Sequence, residues 1–245
     1  MTRVDLNCDL GEGAGHDAEL MPLITSANIA CGAHAGGLES MVEAVQSAAR
    51  NGVMIGAHPG YLDRKNFGRI ERAILPEEAG RIVRRQVQQL YVVAGPKLRH
   101  VKLHGALYNQ VSRAAHLAAG VVGELARAWP DLILFALSGS RLAAVGRSRG
   151  LRVAEEVFAD RTYQRDGSLT PRSRPDALIT DENAAVAQVL RMVREGVVRA
   201  TDGTDVPITA DTVCLHGDGP HAVAFAHRLR KELAAAGVAV KAFGA

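Results

Sequence analysis

Charged and histidine side chains stand at the ends of six short apolar runs of this chain, each beside a glycine or a bend. The runs cover residues 4–12, 27–37, 53–60, 100–109, 155–161 and 213–219. Buried parallel strands have apolar sequences of this kind, and in α/β folds the residues that do chemistry collect at the carboxyl ends of such strands. The six polar strand ends therefore predict one shared active site.

Four histidines each close a different run: His34, His58, His104 and His216. One such histidine is usually structural, but four at equivalent strand ends predict that at least two serve in acid–base chemistry or binding. Imidazole and carboxylate groups also suit zinc and similar ions, for which Asp9, His34 and His58 are the candidate ligands. The sequence has no His-x-x-x-His pair on a predicted helix, so the spacing leaves both the metal and its ligand set open.

Two carboxylates, Asp9 and Glu12, flank the turn that follows the first apolar run. They could act as a general base or hold a nitrogen or a cation, although aspartate and glycine also occur in turns for conformational reasons alone. Asp5 and Asn7 share a strand face with Asp9, because side chains alternate between the two faces of a strand. Polar side chains that point inward behind the turn favour the functional interpretation.

Lys102 shares a strand face with His104 in the fourth run. A lysine in a closed interior needs a carboxylate or an anionic ligand beside it. Binding of a substrate carboxylate and a salt bridge to Asp5 or Glu156 are equally good predictions.

A polar segment rich in Arg, Asp, Ser and Pro covers residues 160–180, after the sixth strand. It begins with Asp160 and Arg161, and it could form a lid that grips an anion, since long loops inside α/β domains are often functional. An ordinary solvated loop is the simpler interpretation.

Strands that alternate with helices must position these groups. We predict strands near residues 3–8, 25–31, 53–57, 99–104, 132–137, 152–158 and 212–216, with a candidate last strand at 238–243. Apolar residues at helical spacing fill the intervals, and Ser112, Ser138 and Asp181 are typical helix caps. Strand then helix, repeated about seven times, implies parallel pairing. The predicted fold is a single TIM-like (β/α) barrel domain over residues 1–245, with an open doubly wound sheet as the alternative.

Composition excludes several classes of function. No apolar stretch reaches the roughly 20 residues that cross a bilayer, and the first residues lack the basic and apolar regions of an export signal. The three cysteines are widely spaced, which is typical of the reducing cytoplasm. A net charge of +3 with dispersed basic residues does not form a nucleic-acid footprint. We therefore expect a cytoplasmic protein with neither a membrane nor a nucleic acid as its partner.

Six ordered motifs resemble the LamB/YcsF family over essentially the whole chain. They are DLNCDLGE, SANIACGAHAGG, GAHPGY-x-D-x-x-NFGR, HVKLHGALYN, EVFADRTYQRDGSLTPRS and TVCLHGDGPHA. The resemblance implies a barrel related to polysaccharide deacetylases. It also implies ATP-dependent opening of 5-oxo-L-proline to L-glutamate, with Mg²⁺ bound to the ATP and with two partner subunits.

The resemblance extends to individual positions. We predict catalytic roles for Asp9, Glu12, His34, His58, His104 and His216, and substrate-binding roles for Asn28, Asp63, Asn66, Arg69, Lys102, Asp160, Arg161 and Asp218. Asn7 joins the second group because it points inward. The chain departs from the family pattern where Gly37-Leu38 replaces the usual Asp-Pro, which leaves a role for a carboxylate in that loop without support.

The implied reaction needs activation, because a lactam is an unreactive amide. Phosphorylation of the amide oxygen by ATP would supply it, and water would then attack with help from a general base. Asp9 or a strand-end histidine is the candidate base, and Lys102 or Arg161 would hold the substrate carboxylate or a phosphorylated intermediate. The glycines match no known nucleotide loop, so ATP would bind on an unfamiliar surface or mostly on the partners.

Two other functions remain open. One is a metal-dependent deacetylase that acts alone on an acylated sugar, as the related barrels suggest. The other is a binding protein without catalytic activity that presents substrate or regulates its partners.

Overall fold

Seven parallel strands close into a barrel in a computed structural model, which describes residues 2–217, 219 and 221–244. The strands are β1 (Arg3–Leu10), β2 (Ser26–Ala30), β3 (Met54–His58), β4 (Leu98–Lys102), β5 (Ile133–Leu137), β6 (Arg152–Phe158) and, after the two short strands β7 (Val197–Arg199) and β8 (Asp205–Pro207), β9 (Thr212–Leu215). The order of strands around the barrel is β1-β2-β3-β4-β5-β6-β9, and β9 pairs with β1 to close it. The predicted barrel is confirmed, and the open sheet is wrong.

Among the described residues, three short strands lie outside the closed cylinder. β7 and β8 form an antiparallel pair of their own. The strand predicted at 238–243 is present as β10 (Ala239–Val240), which pairs in parallel with the start of β1. The first strand of the chain thus has three parallel neighbours along its length: β2, β9 and β10.

Helices cover the outside of the barrel. They are α1 (Asp17–Leu20), α2 (Leu38–Asn51), α3 (Pro76–Ala94), α4 (Gly105–Arg113), α5 (Ala115–Ala128), α6 (Arg141–Ser148), α7 (Glu182–Glu195) and α8 (Ala222–Ala235), with 3-10 turns at Met21–Leu23 and Gly95–Lys97. In the described part of the chain, no helix combines the length and the apolarity that a membrane crossing requires. Helices α3 and α5 approach each other so closely that a Cβ atom added to Gly120 would lie 2.0 Å from the carbonyl oxygen of Pro76.

Two of the three predicted helix caps are wrong. Asp181 does cap α7, accepting a hydrogen bond from the Asn183 amide. Ser112 instead lies buried in the last turn of α4, a helix that was not predicted. Ser140, not Ser138, accepts the capping bond of α6, because the Ser138 hydroxyl donates to Glu155 over 2.6 Å.

The alternation of side chains along the strands is as predicted. In β1 the apolar Val4, Leu6 and Cys8 are buried in the core between strands and helices. Asp5 and Asn7 face the barrel interior, where the Asn7 amide donates to Glu156 over 3.0 Å. The interior is therefore polar toward its carboxyl end, which requires that each buried group find a partner.

Candidate active site

Lys102, at the end of β4, is the centre of a buried polar network that crosses the barrel. Its ammonium lies 2.9 Å from an Asp9 oxygen and 3.0 Å from a Glu156 oxygen. Burial alone would lower the pKa of Lys102, but the neighbouring carboxylates hold it well above its ordinary value. The predicted salt bridge to Glu156 is confirmed, with Asp9 as a second partner.

The predicted alternative partner of Lys102, Asp5, binds hydroxyl groups instead. It accepts hydrogen bonds from Thr25 and Ser26 at 2.6 Å each and from Thr212. Burial nevertheless raises the pKa of Asp5 from 3.8 to about 6, because the three hydroxyls only partly replace water around a charged carboxylate.

Two of the three predicted asparagines, Asn7 and Asn28, support the Asp9–Lys102 pair from inside the barrel. The Asn28 amide donates to Asn7 over 2.7 Å and to Asp9 over 2.9 Å, and its oxygen faces the ring of His100 at 2.8 Å. Both asparagines are fully buried. Asn28 fixes the orientation of Asp9, and Asn7 accepts a hydrogen bond from the Lys102 ammonium over 3.2 Å. Asp9 itself reaches the cavity described below.

Three histidines and one carboxylate meet beside this pair; we call Glu12, His34, His58 and His104 the Glu12 cluster. The Glu12 carboxylate lies 3.0 Å from Nε2 of His34 and 3.5 Å from Nδ1 of His104. The rings of His34 and His104 stack with centroids 3.7 Å apart. Nδ1 of His104 and Nε2 of His58 are 2.9 Å apart. Four residues from four different loops and strand ends thus converge, as the sequence predicted.

The histidines of the cluster differ in basicity. Burial and the proximity of His58 lower the pKa of His104 well below its ordinary value. Burial would lower the pKa of His58 too, but the Asp9 carboxylate, 3.3 Å away, raises it above that value. Asp9 in turn has a pKa well below the usual range, because His58 and Lys102 outweigh its burial.

His216 lies apart from the cluster and forms a pair with Asp160. Its Nδ1 lies 2.7 Å from the Asp160 carboxylate, and its Nε2 lies 2.9 Å from the guanidinium of Arg172. A carboxylate accepts the Nδ1 proton, so Nε2 carries the lone pair and receives the arginine hydrogen bond. Burial would raise the pKa of Asp160, but His216 and Arg172 lower it below its ordinary value.

A cavity of about 920 Å³ opens over these groups at the carboxyl ends of the strands. Its wall includes Asp9, Glu12, His58, Lys102, His104, Arg161 and His216 from the predicted site. The polar segment 160–180 lines it through residues 164, 166–169 and 171–173. Arg161 is buried and donates from Nε to the Ala177 carbonyl, so this segment is a folded wall and not the simple solvated loop.

Some predicted residues lie elsewhere. Asp63 and Asn66 hydrogen-bond each other over 2.9 Å in the loop after β3, and neither belongs to the cavity wall. Arg69, six residues beyond Asp63, does line it, with its guanidinium 4.8 Å from the ring centre of Phe67. Asp218 lies outside the described residues.

Several residues of the site were not predicted as such, among them Tyr108, Arg113 and Arg141. Tyr108 donates to Glu156 over 2.7 Å, while Arg113 and Arg141 belong to the cavity wall. Tyr108 and Arg113 lie on the missed helix α4, which starts directly after the polar end of β4. Arg141 follows the turn after β5, which contains Ser138 and Ser140. The end of β5 is not one of the six polar strand ends from which the active site was predicted.

Comparison with known proteins gives consistent matches over nearly the whole chain. The model of the LamB/YcsF family matches residues 4–245. A Bacillus licheniformis protein, named as the A subunit of 5-oxoprolinase, is 51% identical over 251 residues, which cover 99% of each chain. The crystal structure of a lactam utilization protein from Thermus thermophilus has a TM-score of 0.89 and 43% identity, and the match covers 98% of this chain and 100% of that one.

A more distant structure shares the fold alone. The family 4 carbohydrate esterase from Streptomyces lividans has a TM-score of 0.51 and 12% identity, over 98% of this chain and 91% of that one. This likeness agrees with the predicted TIM-like barrel. Since the family model covers all but the first three residues, this chain belongs to the LamB/YcsF family.

Proposed function

We propose that this chain is the A subunit of an ATP-dependent 5-oxoprolinase, which opens 5-oxo-L-proline to L-glutamate together with two partner subunits. The proposal is supported by the names of the similar proteins, which are the A subunit of 5-oxoprolinase and a lactam utilization protein. The observation that carries it is the cavity, because His216, whose Nδ1 is bound by Asp160, and several guanidinium groups line the same space.

The cavity suits a small anionic substrate. Its volume of about 920 Å³ lies at the upper end of the range for small-molecule sites, so it has room beyond a five-membered lactam. Five arginines belong to its wall: Arg69, Arg113, Arg141, Arg161 and Arg172. Guanidinium groups bind carboxylates and phosphates with paired hydrogen bonds, so the wall fits both the substrate carboxylate and a phosphorylated intermediate.

Both predicted anion ligands line the cavity, but Lys102 is already paired with two carboxylates, whereas Arg161 donates to backbone carbonyls. Burial and the neighbouring Arg172 lower the pKa of Arg161 to about 10, so it stays charged at neutral pH. We assign the anionic part of the substrate to the arginine wall and not to Lys102.

His216 is the general base in this proposal. Asp160 holds the Nδ1 proton, which leaves the lone pair of Nε2 to remove a proton from water. Asp9 is a weaker candidate, because a carboxylate with a strongly lowered pKa is a poor proton acceptor. An anionic substrate would draw Arg172 away from Nε2 and so free the base.

The chemistry balances with one ATP and two waters. The amide oxygen of the lactam attacks the γ-phosphorus of ATP, the bond to the β-phosphate breaks and ADP leaves. Water then adds to the amide carbon as His216 takes its proton. The C–N bond then breaks with a proton transferred to nitrogen, which leaves an acyl phosphate. A second water hydrolyses this intermediate to glutamate and phosphate.

Reconstitution tests the proposal. The full chain and its two partner subunits are combined, and ADP and glutamate formed from 5-oxoproline are followed together. We expect His216→Gln to lower kcat by about 10²- to 10⁴-fold with little change in KM, as loss of a general base does. His116→Gln, on the exposed side of α5, is the matched control and should keep wild-type rates. Wild-type rates in His216→Gln would remove the assignment.

The same assay separates the other two functions. A His216→Gln chain that still assembles with its partners but is inactive argues against a purely binding role. Release of acetate from an acylated sugar by the chain alone, without ATP, would instead favour the deacetylase. The cytoplasmic location also stays part of the proposal, and cell fractionation would test it.

A further inference from the structure

The Glu12 cluster places four side-chain atoms of ligand type around one point. The atoms that face each other are Nε2 of His34, Nε2 of His58, Nδ1 of His104 and Oε1 of Glu12. The side chains are between 0% and 9% exposed, so water cannot freely satisfy these atoms. The buried nitrogens and the carboxylate must therefore be satisfied by one another or by a ligand.

Backbone carbonyls decide which nitrogens carry lone pairs. Nδ1 of His58 lies 2.9 Å from the carbonyl oxygen of Lys102, and Nε2 of His104 lies 2.9 Å from that of Phe67. A carbonyl can only accept, so each ring donates its proton there. The two nitrogens that face each other at 2.9 Å, Nε2 of His58 and Nδ1 of His104, are then both lone-pair acceptors in neutral rings. Such a contact is repulsive unless a positive charge lies between the two atoms.

Carboxylates add to this demand for positive charge. Glu12 lies within 3.0 to 3.8 Å of all three histidines, and Asp9 lies 3.3 Å from His58. The ammonium of Lys102 is divided between Asp9 and Glu156. A buried carboxylate without a full counter-charge is costly, so a cation at the cluster would be strongly favoured.

We propose that Glu12, His34, His58 and His104 bind a divalent transition-metal ion such as Zn²⁺. Imidazole and carboxylate ligands select this class of ion. Ligands of a tetrahedral zinc site lie about 3.4 Å apart, since each bond is about 2.1 Å long. The contacts here are 2.9, 3.0, 3.5 and 3.8 Å, and all four ligand atoms lie within 4.8 Å of one another. The carbonyls that hold His58 and His104 are the outer partners that orient metal-binding histidines in other proteins.

This site differs from the set that the sequence suggested. His34 and His58 belong to it, but Asp9 groups with Cys214 and His216 in a separate set of ligand-type side chains. Glu12, His58 and His104 also line the cavity, so a metal ion here would face a ligand bound there. Metal binding by the chain itself does not depend on the proposed activity.

Metal binding by the full chain, without partners or substrate, tests the inference. Chelator-treated protein is titrated with Zn²⁺ by calorimetry and with Co²⁺ by visible absorption, which reports the coordination geometry of the bound ion. We expect one ion per chain, a Zn²⁺-dependent rise in Tm, and at least 100-fold weaker binding in Glu12→Gln and in His34→Asn. His216→Gln, in the other set of ligand-type residues, and the exposed variant His116→Gln should bind as the wild type does.

Three results would overturn the inference. The first is a wild-type chain that binds no stoichiometric Zn²⁺ and shows no Tm shift, in which case a proton shared by His58 and His104 supplies the charge. The second is unchanged binding in both Glu12→Gln and His34→Asn. The third is loss of binding in His216→Gln, which would move the ion to Asp9 and Cys214. Circular dichroism of each metal-free variant shows whether it is folded, and a variant that is not folded is replaced by His104→Gln in the same titration.

Discussion

A single residue shows how burial can outweigh hydrogen bonding in this barrel. Asp5 has three hydroxyl partners, yet its pKa is about 6 in the folded chain. Bulk water would stabilise the charge better than fixed hydroxyls in a buried site do, because the latter cannot reorient. Between the two pKa values the folded chain binds a proton at Asp5 that the unfolded chain has already lost.

The stability of the protein should therefore depend on pH through Asp5. Folding raises the pKa of Asp5 from 3.8 to about 6. The contribution of Asp5 to the free energy of unfolding is therefore full below about pH 3.8 and is lost as the pH rises through about 6. The expected loss is about 3 kcal/mol of the free energy of unfolding. Urea unfolding of the wild type and of Asp5→Asn from pH 4 to pH 8 measures it. Wild-type stability should fall relative to the variant, and parallel curves would contradict the assignment.

At the level of elements, the contact between α3 and α5 depends on the absence of a side chain. Gly120 lies on α5 against the Pro76 carbonyl at the start of α3, and Gly80 on α3 faces the Gly120 carbonyl in the same way. The helix backbones approach more closely than any larger residue would allow. This contact holds two neighbouring helices of the outer layer together.

A methyl group at this contact should be costly. In Gly120→Ala the new Cβ would lie 2.0 Å from a backbone oxygen, so a helix must shift, and we expect a loss of about 1–3 kcal/mol in the free energy of unfolding. Gly123→Ala, three residues further on the same helix, meets no atom within 4 Å and should gain up to about 1 kcal/mol from helix propensity. Equal effects of the two changes in thermal or urea unfolding would show that the contact is looser than described.

Strands and helices could be predicted where the pattern that indicates them lies within one short segment of the sequence. Alternation along β1 and β4 gave the inward faces, since it needs only the sequence of one strand. Helix α4 was missed because it begins at Gly105, whose φ of +57° marks a sharp turn directly after β4 rather than a cap. The Ser138 cap failed because its hydroxyl is bound by Glu155 from the next strand, a contact that no local pattern contains.

At the scale of the whole molecule, one buried lysine joins strands on different sides of the barrel. Lys102 on β4 meets Asp9 on β1, Glu156 on β6 and the thiol of Cys214 on β9. The sequence could place each group at an interior strand position, but it left the partner of Lys102 open. That choice depends on the stagger and tilt of strands around a closed barrel, which only the complete pairing determines.

Removing the lysine charge should therefore destabilise the whole fold. Lys102→Met leaves two buried carboxylates without their cation, and we expect a loss of about 3–5 kcal/mol in the free energy of unfolding. Glu156→Gln in addition removes one of those charges, so the double variant should lose less than the sum of the single losses, by about 0.5–3 kcal/mol. Urea unfolding of the four proteins gives this coupling energy. Additive losses would mean that the ion pair does not act across the barrel.

The pairing of β1 with β9 also constrains how the protein can be made. Asp5 accepts a hydrogen bond from Thr212, which lies 207 positions later in the sequence. β1, the first strand to be synthesised, therefore cannot complete its pairing until β9 has also been synthesised. At about 5–20 residues per second, a ribosome needs roughly 10–40 s to deliver that partner. During this interval nascent β1 has an unpaired edge, which is the kind of surface that recruits other strands. Holdase chaperones that cover such edges would raise the yield of the newly translated protein.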